Sequence, residues 1–70
     1  MGILEQFGNR IRELRKAKGY SQEKFALKIG MDRTYYSSIE QGKHSVSLEK
    51  IEIIAKGLEI TLEELFKDFI

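Results

Sequence analysis

The 70-residue sequence has no cysteine, no proline and no tryptophan, and its one histidine is His44. The absence of cysteine excludes disulfides, and a single histidine without cysteine does not make a structural zinc site. No apolar run is longer than three residues, as at positions 25–27 and 53–55, which predicts neither a membrane span nor a signal peptide. We therefore expect a cytoplasmic protein with no metal ion and no other cofactor.

The short length limits the hydrophobic core. With 41% hydrophobic and 33% charged residues, the composition is that of a globular protein, and the length predicts one domain spanning residues 1–70. A domain of this size buries only about 60% of the surface of its unfolded chain, so its fold is marginally stable without further support. Because disulfides and zinc are excluded, self-association is the expected support.

Charge is unevenly distributed along the chain, although the net charge is only +1. Residues 1–46 contain nine Lys and Arg against five Asp and Glu, whereas residues 47–70 contain three against six. A basic first part predicts a surface that faces a polyanion, and the acidic last part predicts a different role for the C-terminal third. The alternative interpretation is that these charges only solvate helix faces.

Glycines and helix-capping residues follow one another along the chain. Gly19 precedes Ser21, Gly30 precedes Asp32, Gly42 precedes Ser47, and Gly57 precedes Thr61. Glycine adopts the left-handed conformation that ends a helix, and Ser, Thr and Asp accept hydrogen bonds from the free N–H groups that begin one. The pattern predicts five short helices at about residues 3–18, 22–29, 33–41, 48–58 and from 61 onward. Since no segment alternates like a strand, the predicted fold class is a compact all-α domain.

Apolar residues recur at spacings of three and four in these predicted helices, which places them on one face of each. The expected core of the first four helices is Phe7, Ile11, Leu14, Phe25, Ala26, Ile29, Tyr36, Ile39, Leu48, Ile51, Ile54, Ala55 and Leu58. The apolar positions of the fifth helix are Leu62, Leu65, Phe66, Phe69 and Ile70.

The second and third predicted helices are separated by only about three residues. This spacing is typical of a helix-turn-helix, here at about residues 22–41, in which the later helix lies in the major groove of DNA. Ala26 is small enough for the two helices to cross closely, and Gly30 permits the sharp turn. Asp32 is expected to cap the third helix and to leave Arg33 pointing outward.

Two groups of residues carry a resemblance to known families. The residues at 22–26, Gly30 and the residues at 39–42 resemble the phage repressor and Cro family of helix-turn-helix proteins. The residues at 32–35, with Ser37, Glu40, Gly42 and the pair at 47–48, resemble the controller proteins of restriction-modification systems. The chain departs from that pattern at positions 44–45, where controllers usually carry Arg-Asn, and at position 36, where an aliphatic residue is usual.

The resemblance implies a transcriptional regulator that binds a palindromic operator in double-stranded DNA as a homodimer. A phage-type repressor remains an alternative, as does an antitoxin-like module whose main partner is another protein. A contact with RNA polymerase is a further expectation, with Glu40, Glu49 and Glu52 as acidic candidates. The sequence offers no phosphate-binding glycine loop and no positioned nucleophile, so neither an enzyme nor a small-molecule ligand is expected.

Five residues of the predicted third helix share its outer face, opposite Tyr36 and Ile39. This outer face consists of Arg33, Thr34, Ser37, Ser38 and Gln41. It lacks the Glu–Lys pairs of an ordinary surface helix, and Arg33 can donate two parallel hydrogen bonds to guanine. We expect base contacts from Arg33, Thr34, Ser37 and Ser38, and a backbone contact from Gln41. A solvated arginine is the alternative for Arg33.

Further contacts with the DNA backbone are implied by the resemblance. They involve Gln22 in the second helix and Lys43, His44 and Ser45 after the third, although His44 is equally consistent with an exposed loop residue. Tyr35 flanks the outer face and is expected either to reach a phosphate or sugar or to lie partly in the core. An ion pair between Arg15 and Glu40, also implied by the resemblance, is expected to be structural.

The apolar C-terminal third predicts a two-fold dimer through residues 48–70, which would set two recognition helices about one DNA turn apart. A monomer with a frayed C-terminus is the alternative. The expected interface residues are Leu58, Ile60, Leu62, Leu65, Phe66 and Phe69.

Overall fold

Helices form the fold of residues 2–69, the part of the chain that the computed structural model describes. They are α1 (Ile3–Ala17), α2 (Gln22–Lys28), α3 (Arg33–Glu40), α4 (Leu48–Leu58) and α5 (Leu62–Leu65). No strand occurs among these residues, so the prediction of an all-α fold with five helices is confirmed. None of the helices within residues 2–69 is long and apolar enough to cross a membrane.

Side-chain caps begin four of the five helices, at the positions that the sequence predicted. Ser21, Asp32, Ser47 and Thr61 each accept a hydrogen bond from the backbone N–H three residues later, at 3.1–3.2 Å. Each bond satisfies one of the N–H groups that a helix leaves free in its first turn. The caps therefore fix where α2, α3, α4 and α5 begin.

Left-handed residues end the first four helices. Gly19, Gly30 and Gly42 have positive φ, as predicted, and the residue after each donates its N–H to the carbonyl five residues back. At the end of α4 the prediction was wrong, because Gly57 lies inside the helix and Glu59 adopts the left-handed conformation, with φ of 62°. The Ile60 N–H then closes the turn on the Ala55 carbonyl at 3.1 Å.

Gly57 is required for packing instead. A Cβ at this position would collide with the Cγ2 of Ile29 and would approach the ring of Phe25 at 3.2 Å. The absent side chain therefore lets α4 lie directly against α2. Gly8 has the same role on α1, where a Cβ would meet the backbone carbonyls of Ile39 and Glu40 at the end of α3.

The core lies between α1, α3 and α4, and α2 and Leu65 of α5 close it. Its buried apolar residues are Phe7, Ile11, Phe25, Ala26, Met31, Tyr36, Ile39, Ile54, Ala55, Leu58 and Leu65. Leu14, Ile29 and Ile51 are partly buried against this cluster. The prediction for Leu48 was wrong, because its side chain at the start of α4 is 83% exposed.

The C-terminal helix is shorter than the sequence predicted. α5 makes a single turn, Leu62–Leu65, and a turn through Phe66 and Asp68 follows it. Asp68 has φ of 67°, which a continuing helix does not permit. Phe66 and Phe69 are therefore half-buried residues of a turn rather than members of a helical stripe, and Ile70 lies outside the described residues.

Candidate nucleic-acid interface

The turn between α2 and α3 is closed by backbone bonds on both sides of Gly30. Met31 N–H reaches the Ala26 carbonyl at 2.9 Å, and Gly30 N–H reaches the Leu27 carbonyl at 3.2 Å. The rings of Phe25 and Tyr36 pack with centroids 5.3 Å apart and join the two helices beneath the turn. These contacts hold α3 rigidly on α2, so the outer face of α3 is displayed in a fixed direction.

The outer face of α3 forms the wall of a shallow groove of about 350 Å³. Its lining residues are Arg33, Thr34, Ser37, Ser38, Gln41 and Lys43. The structure therefore brings together the four residues predicted to contact bases and two of those predicted to contact the DNA backbone. What each of them touches in a complex stays a prediction.

Two residues at the start of this face have no partner within the described chain. Arg33 and Thr34 are exposed, and their side chains make no hydrogen bond or ion pair with any other of residues 2–69. Further along the face, Gln41 donates to the Ser37 hydroxyl at 3.2 Å and Ser38 donates to the Tyr35 carbonyl at 2.6 Å. The free donors and acceptors are thus concentrated in the first turn of α3.

Gln22, in the first turn of α2, is tied to the end of α3. Its Nε2 donates to the Oε1 of Glu40 at 2.9 Å, which leaves the second N–H and the carbonyl of the amide available. The residue is half-buried, so the amide is held at the surface in one orientation. This arrangement is compatible with the predicted phosphate contact and was not anticipated from the sequence.

Glu40 and Arg15 form the ion pair that the resemblance implied. Nε of Arg15 donates to Oε2 at 2.7 Å and Nη2 donates to Oε1 at 3.1 Å, with both side chains buried. Burial by itself would raise the pKa of Glu40, but the interactions with Arg15, with the nearby Tyr36 hydroxyl and with Gln22 outweigh it and hold that pKa below its ordinary value of 4.5. The same pairing raises the pKa of Arg15, so both groups are ionised.

Tyr36 lies beside this pair, where the sequence placed it in the core. Burial, together with the nearby Glu40 carboxylate, raises the pKa of its phenol far above the ordinary value of 10.0. The hydroxyl is buried and has no hydrogen-bond partner among residues 2–69. Tyr36 therefore contributes packing, chiefly against Phe25, and takes no part in the outer face.

The three residues of the loop after α3 that were predicted to contact the DNA backbone lie in different surroundings. Lys43 lines the groove, whereas His44 is exposed and packs edge-to-face with Tyr35, with ring centroids 5.8 Å apart. Tyr35 is partly buried against the core, as one of its two expected roles requires, and its contact with a phosphate or sugar stays a prediction. Ser45 is exposed beyond the groove.

Three predicted roles are incompatible with burial. Leu58 and Leu65 are fully buried in the core of a single chain, so neither has surface left to contribute to a dimer interface. Ile60, Leu62, Phe66 and Phe69 keep exposed or half-buried surface. Glu40 is 2% exposed and cannot offer its carboxylate to RNA polymerase.

Sequence reasoning also missed surface features of the C-terminal part. Exposed Leu48 lines a largely apolar groove of about 280 Å³ between α4 and α5, together with Ile51, Leu62 and Phe66 and the two glutamates Glu49 and Glu52. Helical periodicity had assigned Leu48 to the core. Periodicity identifies the apolar face of a helix, but it does not show whether the first turn of that helix extends beyond the helices that would cover it. Arg10, whose contacts with α5 are described below, was not singled out either. Gly8, a glycine within the first predicted helix, was the one signal in the sequence that could have indicated the close packing of α1 against the end of α3.

A short helix, a sharp turn and a second short helix with an exposed polar face define the helix-turn-helix class of DNA-binding proteins. The chain belongs to the helix-turn-helix family, whose model matches residues 11–65.

Within this family the chain is similar to restriction-modification controller proteins. It is 59% identical to the control protein C.MunI of a Mycoplasma species, over 94% of this chain and 90% of that protein. The crystal structure of the controller protein C.AhdI from Aeromonas hydrophila matches with a TM-score of 0.86 and 49% identity, over 90% of this chain and 96% of the other. The C.Esp1396I tetramer, solved in complex with its natural 35-base-pair operator, matches with a TM-score of 0.88 and 34% identity, over 96% and 88% of the two chains.

Proposed function

We propose that this chain is a controller of a restriction-modification system, which binds a palindromic operator as a homodimer and regulates transcription without catalysing a reaction. It acts as one domain, in which residues 22–41 read DNA and residues 48–70 contribute the dimer contacts. The similarity to controller proteins supports this proposal. Glu40 is buried, and Glu49 and Glu52 line the groove between α4 and α5, so activation through RNA polymerase would have to use whatever surface of Glu49 and Glu52 the dimer leaves exposed.

The outer face of α3 is the observation that carries the proposal. Arg33 and Thr34 are exposed and unpaired among residues 2–69, in the first turn of the helix, which is the part that contacts base edges in this class. The forked guanidinium of Arg33 fits the two acceptors of guanine, and Thr34 can donate a hydrogen bond or pack its methyl group on thymine. Lys43, which lines the groove, and Gln22, in the first turn of α2, supply donors to phosphates.

The dimer contacts are assigned to the groove between α4 and α5. Leu48 is 83% exposed and Leu62 is 49% exposed, and together with Ile51 and Phe66 they give the groove an apolar surface. Apolar side chains that are exposed as a group rather than singly mark an interaction site. The interface is thus proposed at Leu48, Ile51, Ile60, Leu62, Phe66 and Phe69.

Selection of bound sequences from a pool of random DNA duplexes tests the proposed DNA binding. We expect a palindromic consensus whose half-sites are separated by about one helical turn of DNA, or about 34–36 Å. A pool that yields no consensus would contradict operator binding. A consensus without two-fold symmetry would contradict binding as a dimer.

Sedimentation equilibrium tests the interface. Leu48→Glu should convert the dimer into a monomer, because it replaces the 83% exposed leucine of the groove with a third negative charge beside Glu49 and Glu52. Leu27→Glu is the matched control, since Leu27 is 80% exposed on α2, outside this groove. A wild-type chain that stays monomeric at micromolar concentration, or an equal effect of the two substitutions, would contradict the assignment.

A further inference from the structure

One side chain of α1 holds the end of α5. Arg10 donates from Nε to the carbonyl of Leu65 at 3.1 Å and from Nη2 to the carbonyl of Glu64 at 2.7 Å. Nη2 also pairs with the Glu64 carboxylate at 3.1 Å. A single guanidinium therefore binds two carbonyls and one carboxylate, all from the last two residues of α5.

α5 depends on such support because it is only four residues long. A helix of one turn is not stable by itself, and its last carbonyls have no partners within the helix. The Lys67 N–H reaches the Glu64 carbonyl at 3.2 Å before the left-handed Asp68 ends the helical continuation. Arg10, fifty-four and fifty-five residues away in sequence, adds a shorter bond to that carbonyl and donates to the Leu65 carbonyl.

The same helix, α1, also supports the aromatic side of the C-terminal segment. The ring of Phe7 stacks on that of Phe66 with centroids 5.8 Å apart, and the rings of Phe66 and Phe69 pack edge-to-face with centroids 5.0 Å apart. Arg10 follows Phe7 by three residues, so both lie on the same face of α1. Between them they fix α5 and the turn after it, and hence the positions of Leu62 and Phe66 in the groove.

We infer that Arg10 is a positioning residue of the dimer interface: its guanidinium holds α5 so that Leu62 and Phe66 present the surface that a second copy of the chain covers. The inference rests on the proposed homodimer. Arg10 makes its hydrogen bonds within its own chain, so it acts on the partner through α5. Its loss should release α5 while the core formed by α1–α4 stays folded.

Arg10→Ala is the test, with Arg12→Ala as its matched control. Arg12 is on the same helix, is exposed, and donates to nearby Asn9 at 3.2 Å, so the control removes the same charge without touching α5. Sedimentation equilibrium should show a dimer dissociation constant raised about tenfold or more for Arg10→Ala, as expected when hydrogen bonds from a charged donor are lost. Arg12→Ala should stay within about twofold of wild type.

Hydrogen exchange separates positioning from general stability. In Arg10→Ala the amides of Leu65 and Phe66 should exchange faster, whereas those of Ile54 and Ala55 in the core of α4 should stay protected. Equal loss of protection in α4 and α5 would mean that Arg10 stabilises the whole fold and would overturn the inference.

Two further variants distinguish the carbonyl contacts from simple charge. Arg10→Lys should behave like Arg10→Ala, because an ammonium cannot reproduce the fork, whereas Glu64→Gln should dimerise like wild type because both carbonyl bonds remain. Restoration by Arg10→Lys, or a loss in Glu64→Gln as large as in Arg10→Ala, would overturn the inference. A wild-type monomer would instead contradict the proposed dimer, and a wild-type dimer unaffected by Arg10→Ala would contradict only the role of Arg10.

Discussion

Arg15 on α1 and Glu40 at the end of α3 form a two-pronged ion pair inside the protein, with N–O distances of 2.7 and 3.1 Å. The third nitrogen of the guanidinium, Nη1, donates to the Tyr20 carbonyl at 2.7 Å. Gln22 donates from its amide to Oε1 of Glu40, the oxygen that also accepts from Nη2 of Arg15. One buried pair therefore ties together α1, the loop before α2, the first turn of α2 and the end of α3.

Breaking this pair should destabilise the fold strongly. We expect Glu40→Ala to lower the free energy of unfolding by about 3–5 kcal/mol, because it leaves the Arg15 guanidinium buried without its counter-ion. Urea unfolding followed by circular dichroism measures the change. Arg12→Ala, on the surface of the same helix, should change the free energy by less than about 1 kcal/mol. Similar small losses for both variants would show that the pair carries little of the stability.

The same pair predicts how acid affects stability. The folded-state pKa of Glu40 lies below its ordinary value of 4.5, so folding favours the ionised carboxylate. Its contribution is therefore fully present above about pH 4.5 and is lost as the pH falls below that value towards the folded-state pKa. Wild type should lose stability in this window, and Glu40→Gln should lose less over the same range. Parallel pH profiles for the two proteins would contradict this assignment.

Gly57 should not tolerate a larger side chain, although it lies within a helix. Alanine at an exposed helix position is favoured over glycine by about 1 kcal/mol. At position 57 its Cβ would instead collide with Ile29 and crowd Phe25, and overpacking of this kind costs about 1–3 kcal/mol. Thermal unfolding should therefore show a lower melting temperature for Gly57→Ala and almost no change for Lys56→Ala on the exposed side. A more stable Gly57→Ala would mean that α4 and α2 do not approach closely.

Local rules predicted most of the fold, and tertiary packing explains the failures. The caps at Ser21, Asp32, Ser47 and Thr61 depend on hydrogen bonds that span three residues, so the sequence identifies them directly. Gly57 was misinterpreted because its role is defined by Ile29 and Phe25 on another helix.

The candidate site also has features that local sequence rules predict and features that only tertiary packing defines. Helical periodicity was sufficient to identify the residues on the outer face of α3, because the geometry of the helix alone determines which side chains share a face. The hydrogen bond from Gln22 to Glu40 and the contacts of Arg10 with α5 join residues far apart in sequence. Spacing carries no signal for such pairs. The same reason explains why Leu58 and Leu65 were wrongly assigned to the dimer interface. Periodicity placed them on an apolar helix face without showing that the core of the chain already buries them.

DNA binding should weaken steeply with salt if the groove of α3 faces the duplex. A dimer that contacts about six to ten phosphates should lose roughly 10³–10⁵ in affinity between 50 and 200 mM salt. Lys43→Ala should weaken operator and unrelated duplexes alike and should reduce the salt slope. Lys56→Ala, on the exposed side of α4, is the control and should leave the slope unchanged. Fluorescence anisotropy titrations at several salt concentrations measure both quantities, and a salt-independent affinity would contradict the phosphate contacts.

The most direct test of the account is the affinity of Arg33→Ala for the selected operator and for a scrambled duplex of the same composition. Arg33 is exposed and unpaired among residues 2–69, so the melting temperature of the Arg33→Ala protein should match that of wild type. We predict a loss of about 1–3 kcal/mol in each half-site on the operator and a much smaller loss on the scrambled duplex, with no recovery in Arg33→Lys. Equal weakening on both duplexes would contradict base reading by α3 and would make Arg33 a phosphate contact.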